Sequence, residues 1–229
     1  MLEAEGADFV EVGLPFSDPL ADGPVIQQST QVALDGGMTV ADALALIREA
    51  DLSVPVVTFG YLNPILSYGL ERFLADASDA GVAGLLLTDL PAAEDQRLEQ
   101  TVHASRLALI RLVAPTTDDN RLRLTLTGAQ GFVYLISRLG VTGPQTTIGP
   151  QLRLAVERVR KVTRLPIAVG FGIATGAQAA AAAGLCDGVV VGSALVSRLA
   201  LGIEPTRELM QELARGLSNG AAARRGDAT

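Results

Sequence analysis

Short apolar runs rich in β-branched residues alternate along the chain with longer stretches in which apolar residues return every three or four positions. The runs predict strands over residues 9–13, 55–60, 84–88, 107–113, 131–137, 167–170 and 189–192. Several of them (VPVVTFG, GLLLT, GVVVG) are apolar through most of their length, the pattern of strands covered on both faces of a parallel sheet. Between them, TVADALALIREA at 39–50 and PQLRLAVERVRKV at 150–162 repeat apolar residues at i, i+3, i+4 and i+7, the stripe of an amphipathic helix. Thr39 and Thr175 read as helix N-caps, and Gly81 and Gly184 as helix stops. Strand followed by helix, repeated, builds βαβ units. No Gly/Ser/Pro-rich linker interrupts the pattern, so residues 1–215 are expected to form one α/β domain, with the small, polar stretch 216–229 a flexible tail.

Composition narrows the class. The 229 residues are 48% hydrophobic with a mean hydropathy of +0.34, enough for a sizeable core. A net charge of −7 and a pI near 4.7 argue against nucleic acid or an anionic membrane surface as the main partner. No apolar run approaches the ~18–20 residues that span a bilayer. The opening MLEAEGADFV carries acids where a signal peptide needs basic residues. The single cysteine excludes an internal disulfide, and the single histidine excludes zinc sites built on His/Cys clusters. The expectation is a soluble, cytoplasmic protein without a metal. Lys161 is the one lysine, so any chemistry that needs a lysine has a single candidate.

Seven strands fit an open doubly wound sheet and fall one short of a (β/α)₈ barrel; both architectures place their sites just past the C-terminal strand ends. The richest such segment is FVEVGLPFSDPLADGPVIQQS. Glu11 lies among Phe9, Val10 and Val12, and burial there would raise its pKa and suit it to acid–base work; the lesser alternative is a carboxylate satisfied by a neighbouring hydroxyl or Arg. Asp18 and Asp22 follow in a loop with Pro15, Pro19, Gly23 and Pro24. That loop reads as a functional lid, or the two acids are turn formers before prolines. Later, SRLGVTGP (Gly140, Thr142, Gly143), GFGIATG (Gly170, Gly172) and VGSAL (Gly192, Ser193) follow three consecutive strands. Their unobstructed N–H groups would make a phosphate cradle. His103 and Lys161 read as solvated surface residues, and Cys186 as a small buried one.

The segment from Glu11 through Pro24, EVGLPFSDPLADGP, resembles the signature of the tryptophan synthase α-subunit family. Tyr61-Leu-Asn-Pro-Ile, Thr88-Asp-Leu-Pro, Leu112-Val-Ala-Pro-Thr, Gly131-Phe-Val-Tyr-Leu-Ile-Ser, Gly140-Val-Thr-Gly and Gly170-Phe-Gly-Ile are similar to that family in the same order. The resemblance implies a TIM (β/α)₈-type barrel that cleaves indole-3-glycerol phosphate to indole and D-glyceraldehyde 3-phosphate by a retro-aldol reaction. It implies that Glu11 protonates indole C3 and that Asp22 bonds the indole N–H. Tyr134 would line the indole pocket, and Thr142, Gly143, Gly172, Gly192 and Ser193 would hold the phosphate. Pro15, Asp18 and Asn63 fall in segments that in the family face a β-subunit, which receives indole within an α2β2 complex. No cofactor is implied for this chain, since pyridoxal phosphate belongs to the β-subunit.

The family has a further strand and helix before GADFVEVG. Their absence here agrees with the count of seven strands, and suggests that Met1 is not the native start or that the gene is truncated. If Met1 is native, weak activity or an edge covered by another chain is expected. Rival readings fare worse. Indole-3-glycerol phosphate synthase and Schiff-base aldolases need strand-borne lysines, and no G-x-G-x-x-G follows the first strand as a dinucleotide site would require. A non-catalytic α-like chain that binds and regulates a β-subunit is the alternative, against which Glu11 and Asp22 stand.

Overall fold

The computed structural model describes residues 1–136, 150–170 and 172–226. The chain divides into two compact units, one of Ala7–Arg111 with Gly128–Gly131, the other of Met1–Gly6, Leu112–Thr127 and Phe132–Thr229.

In the first unit, β1 (Val10–Gly13), β2 (Val56–Gly60), β3 (Val82–Leu87) and β4 (Ala108–Val113, whose end passes into the other unit) pair in parallel in that order. Glu11 stands opposite Val57, and Leu85 opposite Leu109. The helices are α1 (Pro24–Asp35), α2 (Val40–Ala50), α3 (Leu62–Tyr68), α4 (Leu70–Asp79) and α5 (Gln96–His103). The predicted stripe on α2 is realised: Val40, Ala43, Leu44 and Ile47 are its buried residues. Thr39 caps that helix as expected, accepting Asp42 N–H at 3.2 Å while the Asp42 carboxylate accepts Thr39 N–H at 3.0 Å. Phe73, Ile65, Leu85 and Val102 have no or almost no exposed surface and centre the core. Burying each contributes roughly 1.5–3 kcal/mol. β2 and β3 are buried nearly throughout, as their apolar runs predict, whereas β1 is only half-buried, with β2 its one strand neighbour among the described residues.

In the second unit, β5 (Val133–Ile136), β6 (Ile167–Gly170) and β7 (Gly188–Val189) pair in parallel, with α6 (Asp119–Leu126), α7 (Pro150–Arg160), α8 (Gly176–Ala183), α9 (Ser193–Leu199) and α10 (Ile203–Gly226). Thr175 caps α8 by accepting Gln178 N–H. α10 corrects the expectation of a tail from residue 216: it runs unbroken to Gly226, the last described residue. The cause is close helix packing. A Cβ on Gly216 would lie 2.1 Å from Gly176 O, and one on Gly220 2.1 Å from Ala180 O, so the two glycines let the α10 backbone press directly on α8. Small residues that look like a tail in sequence are here the surface of a helix–helix contact.

Candidate functional site

β1 carries the first candidate acid. Val10, Glu11 and Val12 continue one extended ladder, and Leu14 N–H extends it to Phe59 O at 2.8 Å. The Glu11 carboxyl oxygen Oε1 is buried and meets no hydrogen-bond partner among the described residues. The neighbouring hydroxyl or Arg that could have satisfied it is not found for that atom. Burial pushes the pKa from 4.5 to about 7, because the charged form would lose its water without gaining a partner. A carboxyl raised this far toward neutrality can both give and take a proton.

The loop after β1 carries the second. Pro15 is buried, Asp18 is exposed and receives the Ser17 hydroxyl at 2.5 Å, and Leu20 at the tip is 89% exposed. Asp22 is half-buried; burial raises its pKa and a hydrogen bond from Tyr61 opposes the rise. Tyr61 Oη donates to Asp22 Oδ2 at 3.2 Å and accepts Ala21 N–H at 2.8 Å. Its ring packs on Phe16 with centroids 5.1 Å apart. Gln27 Nε2 donates to Asp22 O at 2.9 Å, tying the loop to α1. Tyr61 stands in a family motif, yet the motif alone gives it no part in the site. Its position directly after β2, in the loop beside that of Asp22, is the signal that could have found it. Asn63, two residues on, is exposed.

In the second unit, Tyr134 on β5 stands opposite Ala168 and is 7% exposed. Its ring lies across β6 because Gly170 has no side chain: a Cβ there would sit 2.1 Å from Tyr134 Oη. Gly172 adopts φ +92°, a conformation that favours glycine. Gly192 precedes α9 and Ser193 is its first residue, with Val196 N–H bonded to Gly192 O at 3.0 Å. Thr142 and Gly143 lie outside the described residues. Among the residues set aside, Lys161 is exposed and Cys186 buried, while His103 is half-buried near Gly128 rather than fully solvated. Among the described residues no three His, Cys, Asp or Glu side chains converge on a possible metal position, and no helix is long and apolar enough to cross a membrane.

Parallel βα units with a buried carboxyl on a strand that meets no partner among the described residues, and a second acid in the loop after it, define an α/β protein with two acids of the kind acid–base chemistry uses. The model of the tryptophan synthase alpha chain family matches residues 1–223. The alpha chain of Acidiphilium cryptum is 50% identical over 206 residues, covering 89% of this chain and 75% of the relative. That of Caulobacter sp. is 49% identical over 201 residues, covering 86% and 73%. Among solved structures, Mycobacterium tuberculosis tryptophan synthase matches with a TM-score of 0.88 at 41% identity, over 94% of this chain and 83% of that one. The alpha subunit of tryptophan synthase from Legionella pneumophila matches with a TM-score of 0.85 at 33% identity, over 95% and 84%. The chain belongs to the tryptophan synthase alpha chain family, lyases of tryptophan biosynthesis, and its fold class is the α/β, TIM-barrel type that the resemblance implied.

Proposed function

We propose that this chain cleaves indole-3-glycerol phosphate with Glu11 and Asp22 as its two acids. Glu11 gives its proton to indole C3, which leaves the ring nitrogen electron-poor, and Asp22 accepts the indole N–H and stabilises that charge. The bond between C3 and the glycerol carbon then breaks. Its electron pair returns to the ring, which regains aromaticity, while the hydroxyl on that carbon passes its proton to the Glu11 carboxylate, restoring the acid, and becomes the aldehyde of glyceraldehyde 3-phosphate. Two carboxyls in unlike surroundings can divide this work. The observation that carries the reading is the buried Glu11 Oε1, without a partner among the described residues, and its pKa raised by burial to about 7.

Tyr134 would line the indole pocket, and Thr142, Gly143, Gly172, Gly192 and Ser193 would hold the phosphate through backbone N–H groups and hydroxyls. A tryptophan synthase β-subunit, carrying the pyridoxal phosphate that this chain does not need, would take the indole in an α2β2 complex in the cytoplasm. Asp18 and Asn63 would meet that partner, with the exposed Leu20 beside Asp18 adding apolar surface and buried Pro15 stiffening the loop beneath. The test is indole release from indole-3-glycerol phosphate, with the chain alone and with a β-subunit. Release that disappears in Glu11→Gln supports the reading. Binding to the β-subunit without any release would favour a regulatory role instead.

A further inference from the structure

The Tyr61 hydroxyl has one proton to place among its polar neighbours. It accepts Ala21 N–H at 2.8 Å, so its own proton is free for Asp22 Oδ2 at 3.2 Å. Among the described residues it is the one group that donates to that carboxylate. The ring is 5% exposed and packed on Phe16, so the hydroxyl cannot swing away without breaking that contact. The chain on either side of Tyr61 is held as well. Thr88 N–H and its hydroxyl bond Gly60 O at 3.0 and 3.1 Å, and the Asp89 carboxylate accepts Leu62 N–H at 2.8 Å. The loop that supplies Thr88 and Asp89 is latched at its far end. Glu99 accepts Ala93 N–H at 2.9 Å and pairs with buried Arg111 at 2.7 Å, and Arg111 reaches Leu90 O.

We propose that Tyr61 is the positioning residue of Asp22, fixing with one hydroxyl both the carboxylate and the backbone of the loop that carries it. This rests on the reading of Asp22 as the acid that meets the indole N–H. A mobile carboxylate would have to be ordered at each turnover, whereas one held by a buried phenol is already aimed. The hydroxyl also favours the charged form of Asp22, opposing the burial that disfavours it. Asp22 is the one ionisable group acting on Tyr61 among the described residues, and the Thr88 hydroxyl is its other polar neighbour.

The experiment compares the wild type, Tyr61→Phe, Asp22→Asn and the double variant in indole release with a β-subunit present, across pH. Tyr61→Phe keeps the ring and removes the hydroxyl. Expected is a fall in kcat of roughly ten- to a hundredfold with KM within about threefold, and an acid limb moved to higher pH. The double variant should be no slower than Asp22→Asn alone. Unchanged kcat and pH limb in Tyr61→Phe, or losses that multiply in the double variant, would overturn the proposal. A different result, indole release surviving in Asp22→Asn, would instead remove the role of Asp22 itself. Carboxyl ¹³C NMR titration of Asp22 needs no turnover: its pKa should rise in Tyr61→Phe, and an unmoved titration sinks the positioning role even in a chain that releases no indole.

Discussion

Replacing Glu11 by Gln should make the folded chain more stable at alkaline pH while removing its activity. Folding raises the Glu11 pKa from 4.5 to about 7. The folded chain therefore prefers the protonated acid, and that preference costs nothing below the unfolded value. As pH rises from the unfolded value to the folded one, the buried carboxyl must hold its proton against the solution or ionise with no partner among the described residues, and stability is lost until both states are ionised. At 1.36 kcal/mol for each pH unit separating the folded and unfolded values, the full penalty is about 3 kcal/mol; because the residue retains some exposure, about 2 kcal/mol is the figure to expect. Gln is neutral throughout and escapes it. Urea unfolding of the two proteins at about pH 5 and about pH 8.5 measures the effect. Other titrating groups are common to both proteins and cancel in the difference. The Gln variant should gain about 2 kcal/mol on the wild type between the two conditions. A difference that stays constant within about 0.5 kcal/mol would mean that burial does not hold this carboxyl neutral, and the acid–base argument for Glu11 would fall with it.

Two further outcomes are expected. Glu99→Ala strands the buried Arg111 guanidinium and should destabilise the chain by about 3–5 kcal/mol, whereas Arg111→Met combined with Glu99→Leu should cost much less; equal losses in urea unfolding would refute the ion-pair account. Gly170→Val must push the Tyr134 ring off β6 and should lower indole release at least about tenfold with the fold retained by circular dichroism; unchanged steady-state kinetics would remove Tyr134 from the indole pocket.

Much of this was written locally. The runs VPVVTFG and GLLLT form strands because a segment apolar at nearly every position can only lie with both faces covered, and Thr39 reads as the N-cap that it is, although the reciprocal bond from Asp42 comes only from the structure. Glu11 is legible for the same reason, as one acid in an apolar strand. Features that depend on contacts between distant segments were not legible. Tyr61 meets Asp22 although the two stand 39 positions apart in the chain, and nothing in Tyr61-Leu-Asn-Pro says that the hydroxyl will be aimed at a carboxylate. Residues 216–226 lack a wide apolar face, so they looked unable to pack; their docking relies on absent side chains rather than on present ones. Half-burial of β1 likewise depends on how many strands stand beside it, which its own sequence does not state.

The contact between α8 and α10 has an evolutionary consequence. At Gly216 and Gly220 even one methyl group would collide with a carbonyl of the facing helix. Selection would hold such positions as tightly as the two proposed acids, for want of room alone. In a comparison of many descendants of this chain, Gly216 and Gly220 would stand out beside Glu11 and Asp22. Reading that invariance as chemistry would be an error: these two positions record how near two backbones can drift before one lineage's mutation drives them apart.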